Sequence, residues 1–561
     1  TSNQSFMAGA TNLTSERADA NSASVRNLGS ITATGGGPVV LMGAAVGNGS
    51  TGTITADGGT VALASGRKIT LDLVGDGLTN LVIAPDAMAT SASVGNSGTI
   101  QADGGRVALI GSSTTVGELV VNQTGTVRAR TIGTRNGEIF LGGGQDNQVA
   151  MTGGTLDATG AAAGERGGNI RIAAGQVQLQ ATSEGQQAVV DAGGQAGGGT
   201  VTVRGYDVAL SSGSALRANA TGQGAGGTID VGTAEGQVLP DGSTAPARES
   251  HAQVFGELSA RGAGSGKGGT ITTKADGLRI GDARVDAGGG ANGGGNGSWR
   301  IDTPTGNLEV VNSAEVPAYQ ADYPSIAAGA TVDAGSVGNA LGRGTDVTLA
   351  SGAIGDQRGV RFGENVQVVK QEGGTSTLRV DSAGSIRMDN GSAITSKQGA
   401  LNVDFNADST GAIAARAADP AQISVTGGDP NFEADYAGAI RLVGATIDAN
   451  GGNIRFFGQG DALNGRAVGG SSSHSDEQWL AGIYLSESTL ATNAGGIVSL
   501  RGQGRAWVAT DDGGNPRFSS SEGVALWFST VKADGTGTVS VDGVGGVGGN
   551  GVNVGYRSTV A

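Results

Sequence analysis

The sequence holds no cysteine, which removes a disulfide framework, thiolate metal sites and a cysteine nucleophile at once. It has two histidines, His251 and His474, and two distant imidazoles cannot form a transition-metal site by local spacing. Aromatic residues make up only 4% of 561. No apolar run reaches the roughly 18 residues of a membrane-spanning helix, so no membrane insertion is expected. Nothing after Thr1 reads as a signal peptide, so an exported protein would be represented here by a mature segment. Basic clusters are also lacking. The 35 Lys and Arg are scattered singly among 50 Asp and Glu, and the net charge is −15. That balance argues against nucleic acid and anionic membranes, which need clustered cations, and suits a soluble, self-repelling surface. Helical periodicity is nearly absent. Ser15 to Ser24 is helix-compatible, but glycine interrupts nearly every other window.

Glycine is abundant, at 107 residues, yet it does not recur at every third position as collagen requires. Apolar residues are 37% of the chain and evenly spread, enough for a thin, continuous core. The strongest signal is internal repetition. Gly52 to Leu63 reads GTITADGGTVAL, and Gly98 to Leu109 reads GTIQADGGRVAL. A looser copy, GSITATGGGPVVL, runs from Gly29 to Leu41. Ile31, Ile54 and Ile100 thus fall on a lattice of 23 residues, which is expected to be one turn of a coil.

Further along, a limb of the form apolar-x-Ala is followed by a Gly-rich turn and then apolar-x-apolar. The first limbs centre on Leu156, Val190, Leu216, Leu258 and Val285. Their second limbs are Ile170/Ile172, Val201/Val203, Ile229/Val231, Ile271 and Trp299/Ile301. The form returns at Ile447–Asp448–Ala449 with Ile454 and Phe456. Short period-2 alternation bounded by Gly, Asn and Asp marks strands with one buried face. Strands this short cannot bury a face alone. If successive coils stack, each strand pairs with its equivalents above and below, and Val, Ile, Leu and Ala pile into ladders. The fold expected is all-β, a right-handed parallel β-helix of about 20 coils, on the order of 100 Å long.

Four stretches depart from the coil, and departures emerge on the flanks where solenoids bind. They are Gly232 to Val254, Glu309 to Ser325, Asp404 to Tyr436 and Asn464 to Leu480. In the second, Tyr319 and Tyr323 stand beside Asp322, Pro317 and Pro324, and the fourth contains Trp479. Exposed aromatics beside carboxylates suit a carbohydrate-contacting surface, so Tyr319, Asp322, Tyr323 and Trp479 are the candidate ligand-binding residues. The plainer reading, and the favoured one for the second stretch, is a loop packed over a gap in the coil. The organisation expected is an approach to the shaft over residues 1–28 and Gly-rich coils over 29–308. An insertion follows over 309–325, then a β-helix of a different repeat style over 326–561, with loops near 404–436 and 464–480. One continuous body is expected rather than two domains. The alternation still runs at Val552 and Val554, so the sequence is expected to continue past Ala561.

Chemistry is sparse. Hydrolysis of a polysaccharide needs carboxylates flanking the scissile bond. The adjacent pair Asp511–Asp512 lies in Ala-Thr-Asp-Asp-Gly-Gly, which reads better as a turn. The Gly-His-Gly and Arg-Ile-Lys elements of pectinase-type β-helix hydrolases are missing, so no catalytic residue and no enzyme activity are expected. Asp- and Asn-rich turns suit calcium in general terms, but the nine-residue Gly-Gly-x-Gly-x-Asp repeat does not occur, so neither a metal site nor a cofactor is expected. Gly222, Gly224 and Gly227 satisfy G-x-G-x-x-G without the βαβ context that gives it meaning. In Gly264 to Thr270, Gly268 stands where a P-loop needs Ser or Thr.

Several of these patterns, in order, resemble the filamentous-haemagglutinin-like exoproteins of two-partner secretion in Gram-negative bacteria. Phe6–Met7–Ala8–Gly9 is similar to a Phe-Leu-Ala-Gly near the end of that family's secretion domain. The two Gly-Thr-Ile-x-Ala-Asp-Gly-Gly-x-Val-Ala-Leu copies follow, and Lys68 to Leu78 (KITLDLVGDGL) resembles the stretch often found next. Trp299–Arg300–Ile301–Asp302 and Val337 to Leu349 (VGNALGRGTDVTL) are similar to later elements. The resemblance covers residues 1 to about 350, and beyond that only the β-helical style continues. It implies export through an outer-membrane partner transporter, and a place outside the cell or on its surface. The family includes biofilm-matrix adhesins, host-cell adhesins, haem- or haemopexin-capturing proteins and contact-dependent toxins. Scarce histidine argues against haem ligation, and the lack of a basic patch argues against glycosaminoglycans. The function expected is therefore an adhesin shaft joining cells to one another or to exopolysaccharide. A host-ligand or haem-carrier capture protein is the alternative, and a polysaccharide-degrading β-helix enzyme stands behind it.

Overall fold

The structure is a computed structural model. It describes residues 12–16, 24–65, 68–72, 80–83, 92–237, 244–321, 326–354, 359–417, 438–469, 481–505, 507–510, 516–519, 522–546 and 549–561. The chain divides into two compact units. One comprises Thr1–Ala275, Ala283–Ser298 and Ala318–Ser325, and the other comprises Asp276–Asp282, Trp299–Pro317 and Ile326–Ala561. Both are parallel β-helices: short strands stack on their counterparts in the coils before and after.

In the first unit three parallel sheets wrap one interior. The first runs from Ser24–Asn27 through Ala45–Asn48 and Ser93–Asn96 to His251–Val254. The second runs from Ser30–Thr32 to Arg284–Asp286, and the third from Val39–Gly43 to Thr270–Lys274. Alternation sends every second residue of a strand inward, so like stacks on like. Leu156, Val190, Leu216, Leu258 and Val285 form one column of direct partners. Ile170, Val201, Ile229 and Ile271 form another. All nine are fully buried or nearly so, worth roughly 1.5–3 kcal/mol each by transfer from water.

The limb motif has a mechanical explanation. The carbonyl of the limb's alanine accepts a hydrogen bond from a glycine N–H across the following turn, rung after rung. The pairs are Ala158 with Gly168 (2.7 Å), Ala192 with Gly199 (2.7 Å), Ala218 with Gly227 (2.7 Å), Ala260 with Gly269 (2.7 Å) and Ala287 with Gly297 (2.8 Å). Each bond closes the neck of an arch, so its length can vary without disturbing the strands. The rungs also touch: a Cβ on Gly227 would fall inside the Gly199 carbonyl oxygen of the coil before. A neck this tight admits no side chain, which is why the turn is glycine. A buried amide ladder marks another corner. Asn27, Asn48, Asn96 and Gln123 pass hydrogen bonds of 2.9 Å from rung to rung.

One part of the expected lattice is not a coil. Ile31 pairs with Ile54 as the 23-residue spacing requires, but Ile54 pairs directly with Ile100. No rung of the coil lies between them. The KITLDLVGDGL stretch leaves the coil instead: Lys68–Asp72 pairs antiparallel with Asn80–Ile83 on one side and with Asn12–Glu16 on the other. The reason is in the chain: a turn-rich segment between two alternating runs closes on itself as a hairpin at less entropic cost than a further coil. Of the helix-compatible Ser15 to Ser24, Ser15 and Glu16 belong to the strand Asn12–Glu16 and Ser24 opens the strand Ser24–Asn27, while 17–23 lie outside the described residues.

In the second unit, too, the coil strands form three parallel sheets. Stacked aromatics enter its core, with Phe405 on Phe456 (4.9 Å, 3°) and Phe362 on Phe405 (5.9 Å, 17°). Among the described residues two α-helices interrupt its β-structure, and neither is visible in the periodicity. Ala334–Gly342 is capped by Asp333, whose carboxylate accepts from the N–H groups of Gly335 and Ser336. It lies on the strand Gln367–Lys370, so close that a Cβ on Gly338 would meet the Val369 carbonyl. The helix therefore takes the place of a strand and covers the edge of that sheet. The short helix Ala412–Ala417 begins beside Asp408, which accepts from Ile413 N (2.9 Å) and Ala414 N (2.8 Å).

Candidate functional site

With the interiors filled by apolar ladders, the groups free to meet another molecule lie on the outer faces and insertions. In the first unit the described parts of two insertions fold back onto the coil. After Gly232 the chain returns so that Tyr206, Ala234 and Ala245 pack together. Tyr206 donates to the Pro246 carbonyl (2.7 Å), and Arg248 lies over its ring (5.0 Å) while pairing with Asp146 (2.6 Å). His251 Nδ1 lies 3.0 Å from Asp207 on the next rung.

The described part of 309–325 that belongs to this unit, residues 318–321, docks on the outer face of the first sheet. Gln178, Ala209 and Gln253 form one outward column there. The Gln253 side chain donates to Gln320 O (2.8 Å) and accepts from Gln320 N (3.0 Å), imitating a strand partner. Gln178 donates to Ala321 O (3.0 Å). Tyr319 meets Phe255 edge to face at 5.9 Å. Burial pushes the Tyr319 hydroxyl above its ordinary range, and the Gln178 amide pulls it partly back. Of the four candidate ligand-binding residues, Tyr319 is thus half-buried in a loop packed on the coil. Asp322, Tyr323 and Trp479 lie outside the described residues, as do Asp511 and Asp512.

Small residues open a trough of about 490 Å³ on the same sheet's outer face nearer the start of the chain, lined among others by Arg26, Gly47, Ser93, Gly95 and Asn122. Elsewhere, outward charges pair diagonally between neighbouring coils. Arg128 binds Asp103, Arg130 binds Asp157 (2.7 Å) and Arg217 binds Glu257 (2.9 Å). Among the described residues no three His, Asp or Glu converge as metal ligands, and no helix is long and apolar enough to cross a membrane.

The second unit carries what the linear sequence concealed. Glu309, Arg361, Arg387, Arg441 and Tyr484 are successive partners in one outward column of its first sheet. Asp389 ties two of these guanidinium groups together. It binds Arg361 (2.6 Å) and Arg387, and Arg361 also reaches Glu309 (2.8 Å). Two residues further along the rungs, Trp527 follows Ser486, and the rings of Trp527 and Phe528 both stack on Tyr556 (5.1 Å, 23° and 5.8 Å, 21°). The cations are 26 and 54 residues apart in sequence, so they read as scattered. The available signal was the strand form apolar-Arg-apolar, at Val360–Phe362, Ile386–Met388 and Ile440–Leu442. Against known proteins, no protein-family model matches this chain, and no curated protein is similar to it.

Proposed function

We propose that this chain is the shaft of a secreted adhesin that holds Gram-negative cells to one another or to an exopolysaccharide matrix, without enzymatic activity. The observation that carries the reading is the fate of the polar side chains on the coil's flanks. They pair diagonally with charges on the neighbouring coil, as Arg130 does with Asp157 and Arg217 with Glu257, rather than converging on a cleft among the described residues. A flank built that way presents a long, repeated surface, which suits many weak contacts in parallel. Export through an outer-membrane partner transporter belongs to the same proposal, as does a place outside the cell. A capture protein for a host ligand or haem carrier would call for a loop standing away from the coil. The described parts of the two first-unit insertions lie against it instead.

The test is to incubate the purified chain with extracellular polysaccharides and measure co-sedimentation together with newly released reducing ends. Sedimentation without new reducing ends is the expected result. Steady release of reducing ends, or stoichiometric capture of a haem carrier, would overturn the proposal.

A further inference from the structure

We infer that the outer flank of the second unit holds an anionic polysaccharide chain, with acidic groups along Arg361, Arg387 and Arg441 and sugar rings on Tyr484, Trp527 and Phe528. This rests on the adhesin reading above and gives it a place and a ligand class.

The cations are held from one side. Asp389 lies almost buried beneath the column, its side chain 8% exposed. It takes Nε and Nη2 of Arg361, but only Nε of Arg387. The two Nη groups of Arg387 make no hydrogen bond among the described residues, and its side chain is 31% exposed. One edge of that guanidinium is clamped and the other, with four N–H donors, is presented. This is the geometry in which arginine meets a carboxylate or sulfate in two parallel bonds. Rungs repeat at about 4.8 Å, so the five rungs from Arg361 to Trp527 span about 19 Å. A polymer with regularly spaced anionic groups matches such a row, and a compact anion does not.

Phe528 is held at a conformational cost. At its corner the column Gly444, Glu487, Phe528 is left-handed on every rung, with φ of 60°, 51° and 49°. Glycine meets that requirement at Gly444 without strain, whereas a bulky residue there is an outlier. Phe528 has a coil on each side, yet 53% of it is exposed, so its ring adds little to the core. Strain maintained for an exposed ring points to a partner for the ring. With Trp527 it stacks on Tyr556, and this exposed aromatic cluster beside polar groups suits the apolar face and hydroxyl edge of a sugar.

The experiment uses the full chain and three probes: polygalacturonate for carboxylates, dextran sulfate for sulfates and neutral dextran. The variants are Phe528→Gly, which relieves the strained φ and should melt no lower than the parent, and Arg387→Gln. Binding to a polyanion that weakens with added salt, and by about tenfold or more in each variant, is expected. Preference for polygalacturonate assigns the row to uronates, and preference for dextran sulfate assigns it to sulfated sugars. Equal binding of neutral dextran, no polyanion binding by the parent, or unchanged binding in both variants would overturn the inference. So would self-association of the chain that Phe528→Gly abolishes, since the patch would then be a contact between copies. If polyanions fail to bind while cells displaying the chain still clump, the stripe is wrong and the adhesin proposal stands.

Discussion

Replacing Asn96 with alanine cuts the buried amide ladder of the first unit at its middle, and the consequence can be worked out from the atoms involved. Asn96 is fully buried; its Nδ2 donates to Gln123 Oε1 (2.9 Å), and its Oδ1 accepts from Asn48 Nδ2 (2.9 Å). Asn48 Nδ2 keeps weaker partners in the Gly52 and Thr99 carbonyls (3.2 and 3.3 Å). Gln123 is fully buried too, and its Oε1 loses the Asn96 donor. A buried acceptor left without its donor costs about 1–3 kcal/mol, and the lost bonds add about 1 kcal/mol. We expect about 3 kcal/mol in total, a rise of roughly 100-fold in local opening. Stacked coils couple mainly to their neighbours, so the effect should concentrate on nearby rungs. The assay is amide hydrogen exchange over Ser93–Asn96 and Leu119–Gln123, with Thr51→Ala as control. The Thr51 hydroxyl donates to Leu28 O at 2.8 Å but is exposed, so its loss should stay within about 0.5 kcal/mol. If Asn96→Ala exchanges no faster than the control, the ladder is not what holds that corner.

Gly227→Ala should lower the thermal midpoint clearly, because its Cβ would lie inside the Gly199 carbonyl and the stacked arches would have to separate. Gly236→Ala is not a clean control because Gly236 has φ of 74°, whereas Gly374→Ala, with open space, should be nearly neutral. Phe405→Ala removes the middle of a buried stack and should cost about 3–5 kcal/mol in chemical denaturation. Burial raises the Asp408 carboxyl above its ordinary range, against the N–H groups of Ile413 and Ala414, which lower it. The folded state therefore holds that proton more tightly than the unfolded state. Its contribution is present at low pH and lost as pH rises through the folded-state pKa, which lies above that of the unfolded chain. Asp408→Asn keeps a capping side chain and should flatten the stability profile in that window.

The fold was legible wherever a residue's neighbour in space is also its counterpart in the repeat. Leu156, Val190, Leu216, Leu258 and Val285 share a motif and stack as one column, because a parallel coil places equivalents on top of each other. Spacing misled between Ile54 and Ile100, where a segment of about one coil's length closed as a hairpin. Periodicity also missed the helix Ala334–Gly342, whose glycines and short length hide any apolar stripe, although its Asp333 cap was readable. The flanks were the least legible. A column on the outer face draws one residue from each coil, so Arg361, Arg387 and Arg441 look isolated in a chain of net charge −15. At Tyr319 the aromatic was visible, but its packing partner Phe255 and the glutamines that dock its loop were not, since nothing local ties 319 to 178 or 253.

The central claim is that the flanks of these coils hold cells together, and single-cell force spectroscopy tests it most directly. The chain would be displayed on a non-adhering Gram-negative host and pulled from a neighbouring cell or from an exopolysaccharide film. The account predicts repeated, salt-sensitive rupture events that disappear when soluble chain is added as competitor. Rupture frequencies equal to those of the bare host, on both surfaces, would contradict it.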